Sequence, residues 1–215
     1  MADRSFVEWP FFGNDHRTWA EKVEEVAKGL SVDHSNIDVA CQELVKTLGE
    51  AGVLRPTSSE NGRFDVRKLC LTREVLSRHS GLADFSFAMQ GLGTGAITLF
   101  GNDDQKAYWL PKTKSGQAIS AFALTEPGSG SDVANSSMTA KADGNEYVLN
   151  GEKTWISNGG IADLYTVFAR TGEGPGARGL SAFLVTPDAL GFEIVERLET
   201  IAPHPLATLR FNNCR

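Results

Sequence analysis

The sequence has few cysteines, and basic residues do not dominate its charge. Its three cysteines are Cys41, Cys70 and Cys214. They form no CxxC pair or Cys/His cluster, so the sequence predicts neither a disulfide framework nor a zinc site. The 21 basic residues are outnumbered by 27 acidic ones, which gives a net charge of -6. This charge opposes attraction to phosphate backbones, so we expect no nucleic-acid partner.

Long apolar runs and recognisable catalytic histidine patterns are also absent from the sequence. No segment approaches the roughly 20 apolar residues that cross a bilayer, so no membrane span is expected. Residues 1–10 lack the basic and apolar regions of a secretion signal, which favours a cytoplasmic location, either a bacterial cytosol or an organelle matrix. The four histidines show no ligand spacing and accompany no Gly-x-Ser-x-Gly elbow. We therefore expect no metal site and no hydrolase triad.

Residues 1–118 have the periodicity of helices. Thr18 and Glu21 have the spacing of a capping box, and Asp65 has the position of an N-cap. The segment 82–100 is apolar and rich in small residues, which predicts a buried helix that a neighbouring backbone can approach closely. Pro111 is expected to end the last helix. The pattern predicts five helices, which begin near Thr18, Ile37, Asp65, Leu82 and Asp103.

Residues 119–215 change to short apolar segments separated by turn residues. Eight strands are predicted, at 119–124, 138–142, 147–149, 154–157, 164–169, 180–185, 192–196 and 208–211. Short strands without intervening helices are typical of antiparallel barrels and sandwiches. The sequence therefore predicts a multidomain α+β protein, with an all-α helical N-terminal domain over 1–118 and an antiparallel β-barrel or sandwich domain over 119–215.

A glycine-rich loop at 125–132 follows the first predicted strand. Gly128 and Gly130 leave backbone N–H groups unshielded, and the hydroxyls of this loop add further donors. Such a loop can surround the polar edge of a ligand or a phosphate without adding positive charge. The alternative is a plain Pro-Gly turn, in which Glu126 and Asp132 cap the loop by accepting N–H groups.

A second candidate segment covers residues 150–159. Asn150 and Gly151 are predicted to form a hairpin turn that leads into a strand. Trp155 and Ser157 lie two residues apart, so they project from the same face of that strand. A flat aromatic surface beside a hydroxyl suits a planar heteroaromatic ligand. The alternative is a core tryptophan beside a turn serine.

Taken together, the segments 121–132 and 150–159 closely resemble the corresponding motifs of the acyl-CoA dehydrogenase flavoproteins. The resemblance extends over about residues 20–213 and includes the separation of the two motifs. It implies a helical N-terminal domain, a β middle domain and a C-terminal four-helix bundle. In that family FAD lies between the last two domains, with help from a neighbouring subunit.

The resemblance also implies roles for individual residues. Thr125 would hydrogen-bond the pyrimidine edge of the flavin. Trp155 would pack against the isoalloxazine, and Ser157 would reach its N5 edge. Ser131 would lie near the cofactor and also contact the CoA side of the substrate. The cofactor-binding residues implied in this way are Phe122, Leu124, Thr125, Gly130, Ser131, Trp155, Ile156 and Ser157.

The implied reaction is α,β-dehydrogenation of an acyl-CoA thioester to the enoyl-CoA, with FAD reduced. The implied partners are the acyl-CoA substrate and an electron-transfer flavoprotein or similar acceptor, and the full-length form is expected to be a homo-oligomer, a dimer or tetramer. The family's carboxylate base comes from the C-terminal bundle, which would begin near Arg215. We therefore assign no catalytic residue here and expect a truncated chain that is inactive alone.

Two other interpretations remain open at the level of sequence. One is a non-catalytic module that binds flavin or CoA, or that serves in assembly. The other is a relative that uses the same scaffold as a flavin oxidase or monooxygenase on a substrate without CoA. A CoA requirement and the presence of flavin would distinguish them.

Overall fold

A computed structural model of the protein describes residues 4–172 and 174–215. Its helices come first in the chain, as predicted. They are α1 (Asn14–Lys28), α2 (Ile37–Glu50), α3 (Val66–His79), α4 (Gly81–Phe100) and α5 (Asp103–Lys114). Short 3-10 turns lie at Ser5–Glu8, Arg55–Thr57, Val133–Asn135 and Gly176–Gly179. No helix in the described part of the chain is long and apolar enough to cross a membrane.

Two helix ends differ from the prediction. Helix α1 begins at Asn14 rather than at Thr18, because the ring nitrogen Nδ1 of His16 accepts the free backbone N–H of Gly13 at 3.0 Å. Helix α5 continues through Pro111 to Lys114. Proline cannot donate its own backbone N–H, but its carbonyl oxygen can still accept one, and that of Pro111 accepts the backbone N–H of Ser115 at 3.0 Å.

Helix α4 carries the contact between the helices and the sheet. A Cβ atom built on Gly93 would lie 2.5 Å from Oγ of Ser120 and 2.9 Å from the backbone nitrogen of Ala121. This contact confirms the prediction that the small residues of segment 82–100 let a neighbouring backbone approach closely. The buried side chain of Gln90 joins the same elements, since its Oε1 accepts the N–H of Ser120 and its Nε2 donates to the carbonyl oxygen of Ala118, both at 2.8 Å.

The second half of the chain forms a curled sheet of seven strands. They are β1 (Ser120–Ala123), β2 (Thr139–Asp143), β3 (Glu146–Ser157), β4 (Leu164–Arg170), β5 (Leu180–Val185), β6 (Phe192–Arg197) and β7 (Leu206–Cys214). The order is β1-β4-β2-β3-β7-β6, and β5 also pairs with β4. The predicted fold class is confirmed, except that the sheet is mixed: β1 runs parallel to β4, because the chain returns through the β2–β3 hairpin before β4 begins.

One predicted turn is wrong. Asn150 and Gly151 lie within the single long strand β3, which replaces two of the predicted strands. The pairing of β3 with β7 shifts between Leu149 and Gly151, so this site is an irregularity inside the strand. A Cβ on Gly151 would lie 2.9 Å from the side chain of Met138, which explains the glycine without a reversal of the chain.

The hydrophobic core is continuous from the helices to the sheet. One buried cluster includes Val23, Leu48 and Phe87 from the helices together with Val167 and Leu209 from the strands. Burial of such side chains contributes roughly 1.5–3 kcal/mol each relative to exposure. Because the two parts share this core, their division into domains 1–118 and 119–215 stays a prediction.

Candidate functional site

The structure brings the two candidate segments together. The backbone N–H of Thr154 on β3 donates to the carbonyl oxygen of Thr125 at 2.9 Å. At the neighbouring position, Nζ of Lys153 donates to the carbonyl oxygen of Leu124, also at 2.9 Å. The glycine-rich loop therefore leaves β1 directly beside the part of β3 that carries Trp155.

The loop begins with a tight reversal. Glu126 and Ser129 exchange two backbone hydrogen bonds, of 3.0 and 3.1 Å. A Cβ built on Gly128 or Gly130 would meet no atom of the described residues within 4 Å, and Ser131 is exposed. The reversal is the Pro-Gly turn that the sequence analysis gave as the alternative. The outer side of the loop is nevertheless open, and its role in binding a ligand stays a prediction.

A buried ion pair lies beneath the loop. Oε1 of Glu126 and Nζ of Lys153 are 2.8 Å apart, and the two residues are 4% and 0% exposed. The Glu126 carboxylate also accepts the backbone N–H of Ser137 at 2.6 Å and that of Met138 at 3.0 Å. Glu126 therefore has the N–H-accepting role considered for it from the sequence, and its lone pairs are engaged by the protein.

The two members of this pair have perturbed acidities. Burial alone would raise the pKa of the Glu126 carboxyl, but the hydrogen bond from Lys153 and those from Ser137 and Met138 hold its pKa below the ordinary value of 4.5. Burial lowers the pKa of the Lys153 ammonium, and the contact with Glu126 opposes that shift. Near neutral pH the carboxylate is ionised, which suits a structural acceptor rather than a proton-transferring acid.

Strand β3 exposes a tryptophan where the loop meets it. Trp155 is 57% exposed and has a positive φ of 58°, which is rare for a bulky residue. The pairing of β3 with β7 shifts between Lys153 and Ile156, so Trp155 lies in a β-bulge. Ser157 is half-buried. The indole of Trp155 is therefore accessible from outside the protein and does not belong to the hydrophobic core.

Ile156 differs from its neighbours. Its side chain is 1% exposed and belongs to the hydrophobic core, because it projects inward between the exposed Trp155 and the half-buried Ser157. The side chain of Ile156 thus does not share the surface of Trp155. A role of Ile156 toward FAD, as implied by the resemblance, is left to its backbone atoms and stays a prediction.

An apolar cleft of about 750 Å³ lies between the helices and the sheet. Residues of α3, α4, β1, β4 and β5 line it, among them Leu92, Ala96, Phe100, Phe122, Phe168 and Leu184. Phe122 is half-buried, and the centre of its ring is 5.0 Å from that of Phe168. Since Phe122 lies on β1 just before Leu124 and Thr125, both half-buried, the cleft and the loop share one strand. The ligand roles of these residues stay predictions.

The sequence analysis missed Lys153. Lys153 lies between the predicted strands 147–149 and 154–157, where a lysine normally reads as a solvated residue. The available signal was its position between Glu152 and Thr154 in a β strand, which places Lys153 on the face opposite to both neighbours. The partner Glu126 could not be found in this way, since the contact joins two distant segments.

Comparisons with known proteins agree with this architecture. The family profile of the acyl-CoA dehydrogenase N-terminal domain matches residues 14–117, and that of the acyl-CoA dehydrogenase middle domain matches residues 121–214. The chain belongs to the acyl-CoA dehydrogenase family. The resemblance stated from the two motifs is thereby confirmed.

Individual relatives support the same conclusion. The chain is 35% identical over 196 residues to the mitochondrial isovaleryl-CoA dehydrogenase of Pongo abelii, a match that covers 87% of this chain and 46% of that protein. The structure superposes on an acyl-CoA dehydrogenase of Geobacillus kaustophilus with a TM-score of 0.83 and 30% identity, over 95% of this chain and 57% of the other. This chain thus spans about half the length of these relatives.

A further structure bears on the cofactor. An acyl-CoA dehydrogenase from Bacillus anthracis, solved in complex with FAD, superposes with a TM-score of 0.82 and 30% identity, over 100% of this chain and 40% of that one. FAD is therefore confirmed as the expected cofactor at the level of the family.

Proposed function

We propose that this chain binds FAD and an acyl-CoA thioester for the α,β-dehydrogenation of the thioester to the enoyl-CoA. The observation that carries the proposal is the contact between the glycine-rich loop at Thr125 and the bulge of β3 at Trp155. Strand β1, which leads into this loop, also lines the apolar cleft. An aromatic face, an open loop of backbone donors and an apolar cleft are the features that a flavin and a fatty acyl group require.

The residues present fit FAD. The exposed indole of Trp155 offers a face on which the isoalloxazine ring can lie. Thr125 and Ser157 are half-buried and carry hydroxyls that can donate to the polar edge of that ring. The open backbone at Gly130 leaves room for the rest of the cofactor, and Leu124 supplies apolar contact. These roles follow the positions of the family motifs.

When bound, FAD supplies the acceptor for the hydride that leaves the β carbon of the substrate. The hydroxyls of Thr125 and Ser157 are neutral hydrogen-bond donors, so they would stabilise negative charge that develops at the edge of a bound flavin ring. Burial of Phe122 and Trp155 beneath the bound ring would exclude water from its face. Each of these groups binds, orients or stabilises, and none of them removes a proton.

We assign the acyl chain to the apolar cleft and the CoA portion to the region of Ser131, which is exposed on the open loop. Among the described residues, those that line the cleft include no Asp or Glu. Glu126 is held by Lys153 and by backbone N–H groups, so it is not free to act as the base. We therefore propose that the α proton is taken by a group outside these residues, and that this chain alone is inactive.

The remaining partners follow from the same proposal. The reduced cofactor would pass its electrons to an electron-transfer flavoprotein or a similar acceptor. A homo-oligomer, a dimer or tetramer, would complete the cofactor site with residues from a neighbouring subunit. The compartment expected from the sequence, a cytosol or an organelle matrix, belongs to this proposal as well.

A flavin titration of the purified 215-residue chain tests the proposal. We expect saturable binding of FAD, followed by the change in flavin fluorescence, and loss of most of that binding in Trp155→Ala. We expect no turnover of acyl-CoA with an artificial electron acceptor. Absence of FAD binding would contradict the proposal that these residues bind the cofactor without the C-terminal bundle or a neighbouring subunit. FAD binding without binding of an acyl-CoA would favour the non-catalytic flavin-binding module, and turnover above contaminant levels would show that the base lies within this chain. FAD binding together with a preference for a substrate without CoA would favour the oxidase or monooxygenase interpretation.

A further inference from the structure

We propose that the buried Lys153–Glu126 ion pair positions the glycine-rich loop for its ligand, with Lys153 as the principal positioning residue. The proposal rests on the function proposed above. Nζ of Lys153 donates at once to Oε1 of Glu126 at 2.8 Å and to the carbonyl oxygen of Leu124 at 2.9 Å. One ammonium group thereby fixes two points of the chain on either side of Thr125.

The position of the pair in the strand supports this role. Lys153 is buried and points beneath the loop, whereas Trp155, two residues on, is exposed. In a regular strand these two side chains would share a face. The bulge between Lys153 and Ile156 breaks that alternation, so the same short segment anchors the loop with one side chain and presents an indole with the other.

The backbone between these two residues completes the arrangement. Thr154 donates its N–H to the carbonyl oxygen of Thr125, and its hydroxyl lies 2.9 Å from that of Thr208 on β7. A residue in the left-handed region such as Trp155 persists only where its surroundings fix the backbone. The ion pair and the Thr154 contact supply that constraint on the N-terminal side of Trp155.

Stability alone gives little reason for such a pair. Replacement of a buried ion pair by apolar residues of similar volume is often neutral or stabilising, whereas removal of one partner leaves a buried charge unpaired. A buried pair that ties a loop to a strand is better explained by the geometry that it fixes. Here that geometry is the distance between the Thr125 hydroxyl and the Trp155 indole.

The other end of the pair is equally constrained. Besides its contact with Lys153, the Glu126 carboxylate accepts the backbone N–H groups of Ser137 and Met138 and the hydroxyl of Ser137, the last at 2.8 Å. These residues lie just before β2, at the end of the connection that leads from the glycine-rich loop to that strand. The pair therefore joins the start of this connection to its end and leaves the outer glycines of the loop open.

The test uses the full chain with Lys153→Met, which keeps the apolar stem and removes the ammonium, and the double variant Glu126→Gln/Lys153→Met, which leaves no unpaired charge. The matched control is Arg210→Met, which breaks the ion pair of Arg210 with Glu152, also 2.8 Å long but about 40% exposed and one residue away on β3. Four quantities are measured: amide hydrogen exchange of Thr154 without ligand, the dissociation constant for FAD, the visible absorbance of bound flavin, and the melting temperature.

We expect faster amide exchange at Thr154 in both Lys153 variants and a loss of FAD affinity of about tenfold to a hundredfold, because small misplacement of a positioned group has effects of that order. The double variant should regain melting temperature without regaining affinity. The visible absorbance of bound flavin should also change, which a loss of stability alone would not produce. Arg210→Met should match the wild type in all four measurements.

Three results would overturn the inference. The first is wild-type exchange at Thr154 in Lys153→Met or, if that variant does not fold, in the double variant. The second is recovery of FAD affinity together with melting temperature in the double variant, which would reduce the pair to a stability element. The third is an equal loss of affinity in Arg210→Met. Failure of the wild-type chain to bind FAD would contradict the proposed function instead, and exchange at Thr154 would still decide the role of the pair.

Discussion

Thr125 and Thr154 are joined by a 2.9 Å hydrogen bond from the backbone N–H of Thr154 to the carbonyl oxygen of Thr125. The contact continues the line of β1 alongside β3 beyond the last residue of β1, Ala123. It places the first hydroxyl of the glycine-rich loop beside the strand position that precedes Trp155. Most of the predicted cofactor residues therefore belong to two short segments whose mutual position depends on this contact.

The positive φ of Trp155 leads to a prediction about stability. An L-residue in the left-handed region costs roughly 1–2 kcal/mol that glycine avoids. We expect Trp155→Gly to have a free energy of unfolding about 1 kcal/mol higher than that of Trp155→Ala, the reverse of the usual order in strands. Urea unfolding of the two variants measures this difference. If both variants lose FAD binding equally, that loss is due to the missing indole and not to the backbone conformation. A more stable Trp155→Ala would contradict the prediction.

The close approach of Gly93 to β1 predicts a second asymmetry. Gly93→Ala forces a Cβ to within 2.5 Å of Ser120 Oγ, and we expect a loss of about 1–3 kcal/mol because overpacking of a buried contact has that range. Gly95 lies in the same helix, and a Cβ there would meet no described atom within 4 Å. Gly95→Ala should therefore raise stability by up to about 1 kcal/mol through helix propensity. Thermal unfolding of the pair tests both directions, and equal effects would disprove the contact.

The depressed pKa of Glu126 predicts a contribution to acid unfolding. Its carboxyl has a lower pKa in the folded state than the 4.5 expected when unfolded, so the unfolded state binds the proton more readily. The resulting stability is present above pH 4.5 and is lost as the pH falls through the folded value. We expect the free energy of unfolding of Glu126→Gln/Lys153→Met to depend less on pH in this acid range than that of the wild type. Parallel curves from neutral pH to about pH 3 would contradict the prediction.

The two loop serines predict a separation of stability from ligand binding. The hydroxyl of buried Ser129 donates to the carbonyl oxygen of Asp132, so Ser129→Ala should lower stability by about 1 kcal/mol. Ser131 is exposed, and Ser131→Ala should stay within about 0.5 kcal/mol of the wild type. Calorimetric titration with an acyl-CoA should show the weaker binding in Ser131→Ala. If Ser131→Ala binds acyl-CoA as well as the wild type does, the substrate role of Ser131 is wrong.

The order of helices and strands was predictable because it rests on local periodicity. Asp65 accepts the N–H of Lys68 at the start of α3, as its N-cap position indicated. The end of α5 was less predictable, since Pro111 is compatible with a last helical turn whose later N–H groups remain free to bond. In the same way, the sequence around Gly151 is compatible with a turn or with a crowded position inside a strand. Only the close contact with Met138, which the sequence does not show, distinguishes the two.

The two segments of the candidate site were predictable from the sequence, but the contacts that hold them together were not. The motif around Thr125 and the spacing of Trp155 and Ser157 pointed to a ligand surface. The bulge at Trp155 depends on the pairing of β3 with β7, and the Lys153–Glu126 contact depends on how β1 lies against β3. Such relations between distant segments leave no period in the sequence.

The parallel pairing of β1 with β4 has a consequence for how the chain folds. At the start of this pairing the backbone N–H of Ile119 donates to the carboxylate of Asp163, 44 residues later. Contacts between residues far apart in sequence form slowly, because a long loop must close before they stabilise anything, whereas the β2–β3 hairpin closes over a turn of two residues, Gly144 and Asn145. The glycine-rich loop begins at the end of β1, so it acquires its final geometry only when β1 pairs with β4. The ligand surface should therefore be among the last parts of the protein to mature during folding.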